Sequence, residues 1–168
     1  MKNKQERLTQ EDLRFFPPKM YYFLGAHFFT LISAGVGLMI LTHFLLRGAF
    51  AYTFISIAVY ALVASYFFMR VIYGYVDSYK GLLAIAYGCM GLSVFNMIVF
   101  FDERSINSVA TFGLIMALLA VLLLRSKGYF EFLNFVNNRW SRYRETGVPL
   151  LEQYKLQQAR DALSENKK

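Results

Sequence analysis

The chain has 168 residues, 57% hydrophobic and 18% aromatic against 17% charged, with a formal net charge of +7. A soluble domain carries about a quarter charged residues, so this balance points away from water. With 11 Gly, 3 Pro and a single Cys, a collagen repeat, a disordered chain and a disulfide scaffold are excluded, and the length suits one domain.

Residues 1–20 form a polar tail. Thr9 with Asp12 three residues on resembles a helix-start box, and Pro17-Pro18 stops that short helix before the apolar region. Four stretches without Asp, Glu, Lys or Arg then follow: 21–46, 48–69, 81–101 and 105–124. They hold 26, 22, 21 and 20 residues, and about 20 apolar residues cross a hydrocarbon core of about 30 Å. The expected fold is all-α: a polytopic membrane protein, with residues 21–124 forming a four-transmembrane-helix bundle. The first run is too long for a signal peptide and lacks a clear cleavage site, so it is expected to stay. Leu46-Arg47-Gly48 and Asp102-Glu103-Arg104 leave almost no loop, which makes two tight hairpins.

Basic residues set the orientation. Five lie in the first tail, Arg70 and Lys80 lie between the hairpins, and nine follow from Arg125 onward. Sixteen of eighteen thus fall on one side, leaving Arg47 and Arg104 on the other. Positive residues stay in the cytoplasm during insertion, so both termini are expected there, most simply in a bacterial inner membrane. The charge marks topology and affinity for anionic headgroups; no nucleic-acid partner is expected.

Helices in lipid associate through small residues and polar contacts. Such stripes are Ala26, Thr30, Ser33 and Gly37 in the first span and Ala51, Ala58, Ala61 and Ser65 in the second. In the fourth, Ala110, Gly113, Ala117 and Ala120 make the stripe, with Ile115, Leu118, Leu119 and Leu122 toward lipid. The third span carries two: a small line, Ala84, Gly88 and Gly91, and a polar line, Cys89, Ser93 and Asn96. Two packing faces predict the most enclosed helix, with the polar line either packing against a neighbour or facing a pore. A faint echo links Arg70 and Tyr73-Gly74-Tyr75 to Arg125 and Gly128-Tyr129-Phe130, as a duplicated hairpin would.

Beyond the spans, residues 129–146 place Tyr129, Phe132, Leu133, Val136, Trp140 and Tyr143 on one side of a helix. This juxtamembrane amphipathic helix is expected to lie in the cytoplasmic headgroup layer, with docking on a partner protein as the alternative. Arg70, Arg125, Lys127, Trp140 and Arg142 are the candidate headgroup contacts. Residues 149–168 read as a polar cytoplasmic helix.

Chemistry is hard to find. The spans contain no carboxylate, Lys or Arg, which argues against proton-coupled antiport and against intramembrane proteolysis or lipid transfer. His27 and His43 stand about 24 Å apart on one helix and cannot share a metal. No catalytic, cofactor or metal residue is assigned. The expected function is a non-enzymatic accessory, assembly or scaffold subunit of a membrane complex. Its partners would be the lipid bilayer and other membrane-protein subunits or further copies of itself. A small oligomeric transporter or channel, and an immunity- or exclusion-type protective protein, are the alternatives.

Overall fold

The computed structural model describes residues 17, 19–45 and 50–165. All regular structure among them is helical: α1 (Met20–Leu45), α2 (Phe50–Ile72), α3 (Ser78–Val99), α4 (Arg104–Leu124), α5 (Lys127–Thr146) and α6 (Leu150–Glu165). The helix expected near Thr9, and the Leu46-Arg47-Gly48 turn, lie outside the described residues. Helices α1 to α4 are each long and apolar enough to cross a membrane.

The four spans form a rhomb. Helices α1 and α3 touch across its short diagonal, and each touches both α2 and α4, whereas α2 and α4 stay apart. One face of α1 is therefore left open between α2 and α4, on the side turned away from α3.

The α1–α4 contact is the one the small-residue stripes foretell. Ala26, Thr30, Ser33 and Gly37 are buried, and so are Ala110, Gly113, Ala117 and Ala120. Small side chains let the two backbones approach, and Ser33 donates its hydroxyl to the Gly113 carbonyl at 2.8 Å. On α4's other side, Ile115, Leu118, Leu119 and Leu122 are exposed, as expected for lipid contact.

Helix α2 departs from expectation. Its buried residues are Ala64, Phe68 and Val71, while Ala51 is exposed and Ala58, Ala61 and Ser65 are only half-buried. It meets its neighbours through large rings instead: Phe68 lies 3.8 Å from the His27 ring and 5.1 Å from the Phe23 ring. Small residues are needed only where backbones nearly touch, and α2 stands one aromatic layer away.

Helix α3 has one packing face, not two. Leu82, Ala86, Cys89, Ser93 and Asn96 are buried, but Ala84, Gly88 and Gly91 are exposed. Buried polar groups need protein partners more than small residues need neighbours, so the polar line took the inward position. The echo between hairpins also fails. Gly74 sits in a turn at φ +79, whereas Gly128 lies inside α5 against the Tyr22 ring.

Candidate functional site

The polar line of α3 is the seam of the bundle. Asn96 is fully buried and donates its amide to the Gly37 carbonyl of α1 at 3.1 Å, leaving its Oδ1 without a partner. Ser93 lies beside Gly113 of α4, and its hydroxyl is likewise buried and unpaired. Cys89 meets the Tyr60 hydroxyl of α2 at 3.1 Å. Successive residues thus address α2, α4 and α1. All three are 4% exposed or less, enclosed by helices of the same chain.

At the end where α1 begins, α5 closes the bundle. Ser126 caps it by accepting from the Tyr129 amide, and Gly147 ends it in the left-handed conformation that glycine adopts without strain. Most of its apolar face is covered by the chain itself, with Tyr143 left exposed. Tyr129, Phe132, Leu133 and Val136 are buried against Phe23, Phe68, Val71 and Leu82 of the chain's own spans. The bundle end offers an aromatic floor, and covering it removes more apolar surface from water than a headgroup layer does. Tyr129 lies so deep that burial pushes its phenol above the usual range, and its hydroxyl has no partner.

Two further contacts tie α5 down. Trp140 donates its indole N–H to the Ile72 carbonyl at 2.7 Å. A Cβ on Gly74 would stand 2.7 Å from Trp140 Cβ, so this turn needs glycine for space as well as for its φ. Lys19 pairs with Glu131 at 2.5 Å. The ion pair raises the Lys19 pKa and lowers that of Glu131, each chiefly through their mutual hydrogen bond. A lowered acid stabilises the fold above its usual value of 4.5 and loses that as pH falls further; a raised base does so below 10.5. The pair should therefore hold between these limits and open in acid. Corrected for the intrinsic rate at each pH, amide protection in α5 around Glu131 should fall below pH 4, and Glu131→Gln should show that lower protection already at pH 7.

The candidate headgroup residues divide accordingly. Trp140 is committed inside the protein, and Arg142 is half-buried and engaged. Arg70 stacks over the Tyr75 ring at 4.6 Å, and Arg125 over Tyr87 at 5.5 Å. Lys127 is exposed in the first turn of α5. Arg125 and Lys127 are exposed, and Arg70 is half-buried like Arg142.

No protein family, curated protein or solved structure matches the chain. Function must be read from its surfaces.

Two surfaces stand out, on opposite faces of the rhomb. The first is the outward line of α3, where nothing lies within 4 Å of the Cβ positions of Gly88 and Gly91. The second is a cavity of about 570 Å³ at the end away from α5, over the open face of α1 between α2 and α4. Its polar lining is His43, Thr53, Glu103 and Ser105; Met39, Ile40, Phe54, Ile57, Ile106 and Val109 supply the apolar walls. The sequence did not disclose this cavity. Its polar residues sit on three helix ends far apart in the chain, and each alone reads as an interfacial or turn residue. Among the described residues no group of His, Cys, Asp and Glu is placed to hold a metal.

Proposed function

We propose that the chain is a non-enzymatic subunit of a membrane complex, with α3 as the helix that docks on a transmembrane helix of another subunit. The exposed line Ala84, Gly88 and Gly91 carries this reading. Glycine costs a helix about 1 kcal/mol relative to alanine. Facing lipid, two glycines return nothing for that cost. Facing a partner helix, they let backbones approach and packing contacts form, which is what drives association in a bilayer. The flanking Tyr87, Val94 and Phe95 are exposed too and give the notch its walls. The excess of basic residues on the α5 side supports a cytoplasmic location for both termini in an inner membrane.

The test is a photo-cross-linking residue at position 88, compared with one at position 122 on α4's lipid face, in membranes of the native host. Position 88 should yield one discrete adduct with a second membrane protein, and position 122 none. Gly91→Leu should cut that yield about tenfold, a loss of about 1.4 kcal/mol in association. Lipid adducts alone at both positions would defeat the reading. An adduct of twice the chain's mass would replace it with self-assembly.

A further inference from the structure

The cavity over α1 has a polarity gradient along the helix axes. Met39 and His43 on α1, Thr53 and Ile57 on α2, and Ser105 and Val109 on α4 are three pairs, each four residues apart. Because α1 runs opposite to α2 and α4, the polar member of every pair lies nearer the bundle end. Its apolar partner lies one turn deeper, about 6 Å. Phe54 and Ile106 flank the polar level, and Met39, Ile57 and Val109 keep the wall below it apolar. A lining whose polar groups gather at the bundle end matches an amphiphile lying parallel to the helices. Its volume also falls within the roughly 300–1,000 Å³ of small-molecule sites.

The mouth is specific about charge and hydrogen-bond direction. Thr42 donates its hydroxyl to the Leu38 carbonyl at 2.7 Å. The 2.6 Å contact between Thr42 and Thr53 must then be donated by Thr53, whose lone pairs stay available toward the cavity as acceptors. Glu103 is the only formally charged residue among the described lining, and its carboxylate makes no capping bond to α4. Two acceptor groups, one of them anionic, thus suit a donor-bearing cation. Beside them, the Ser105 hydroxyl and the uncapped first turn of α4 offer donors to an anion.

We propose that this cavity binds an amine-bearing zwitterionic phospholipid, with its ammonium on Glu103 and Thr53 and its phosphate at Ser105. One acyl chain runs down past Met39, Ile57 and Val109. A net-anionic phospholipid brings a second negative charge to the Glu103 carboxylate without an ammonium to pair with it, and binds more weakly. The site lies on the face opposite the α3 line and does not depend on what docks there.

The experiment uses the full chain, stripped of lipid in a mild detergent and offered phosphatidylethanolamine or phosphatidylglycerol of matched chains. Native mass spectrometry counts the adducts. Occupancy of the cavity is the adduct signal that Val109→Trp or Ile57→Trp removes, which separates it from headgroups held at the basic end. That signal should be about tenfold larger for phosphatidylethanolamine. Glu103→Gln should bring the two lipids within about threefold of each other, because it keeps the shape and deletes the charge. The proposal falls if neither Trp variant, melting like the parent, removes any adduct, or if the removed signal is equal for the two lipids. Should both Trp variants misfold, Glu103→Gln on its exposed turn decides: an unchanged lipid preference overturns the assignment.

Discussion

Gly113→Leu is expected to break the α1–α4 contact, while Gly113→Ala leaves it nearly intact. A Cβ at position 113 would stand 3.0 Å from Val36 Cγ1 and 3.2 Å from the Ser93 hydroxyl. Those distances are tight, but both neighbours are side-chain tips that can yield by a few tenths of an ångström. For alanine, that strain is offset by the roughly 0.5–1 kcal/mol gained on removing a helical glycine. Leucine adds three more carbons at a tight contact, where Ser33 reaches the Gly113 carbonyl. Overpacking of this kind costs about 1–3 kcal/mol, and the lost hydrogen bond adds roughly 0.6 kcal/mol or more. Unfolding in detergent mixtures, followed by circular dichroism, should show a lowered midpoint for Leu and little change for Ala. Equal effects of the two would mean that the backbones are not in close approach there.

How much of this was legible in the sequence depends on the kind of question. That four helices span was plain, because charge-free runs of that length have no soluble alternative. Their ends were less plain. The second and third runs were bounded by Arg70 and Lys80, yet α2 continues to Ile72 and α3 already begins at Ser78. A charge at a membrane interface does not interrupt a hydrogen-bond ladder, since its long side chain reaches outward. The true break is Gly74 with its positive φ. Which face of a helix turns inward was harder still. Periodicity found both lines on α3 but could not rank them; burial of Asn96 against the Gly37 carbonyl, with Gly88 left outside, required the neighbours' positions. For α5 the amphipathic face was legible, but that the chain's own spans cover most of it was not. The residues that suit a headgroup layer suit an aromatic bundle end equally well, and only the arrangement of Phe23, Phe68 and Leu82 decides between them.

That decision has a direct consequence for Phe132, whose replacement by Ala should release α5 from the bundle. The ring is 1% exposed and stacks on Phe23 at 4.8 Å, with Tyr129 6.1 Å away. Phe23 in turn meets Phe68, so Phe132, together with Tyr129 at 6.3 Å from the same ring, joins α5 to the aromatic contacts of α1 and α2. Truncating a buried Phe to Ala costs about 3–5 kcal/mol, the lost burial plus the cavity left behind. Among the described residues no disulfide or metal ties α5 down; Tyr129, Leu133 and Val136 stay buried beside it, and the ion pair and indole hydrogen bond add less. The loss should therefore shift the docking equilibrium of this one helix toward release, while the four spans keep their own contacts. The chain contains one Trp, and that residue is part of the docked surface: Trp140 packs edge-on to Tyr73 at 5.4 Å and donates to Ile72. Its fluorescence is thus a reporter of docking alone. In Phe132→Ala, Trp140 emission should shift to the red and become open to aqueous quenchers with little loss of helix signal. Asn134→Ala, on the exposed side of the same helix, should change neither. Had α5 floated in the headgroup layer, Trp140 would keep its interfacial emission in both variants. An unshifted Trp140 in folded Phe132→Ala protein would therefore return α5 to the membrane surface.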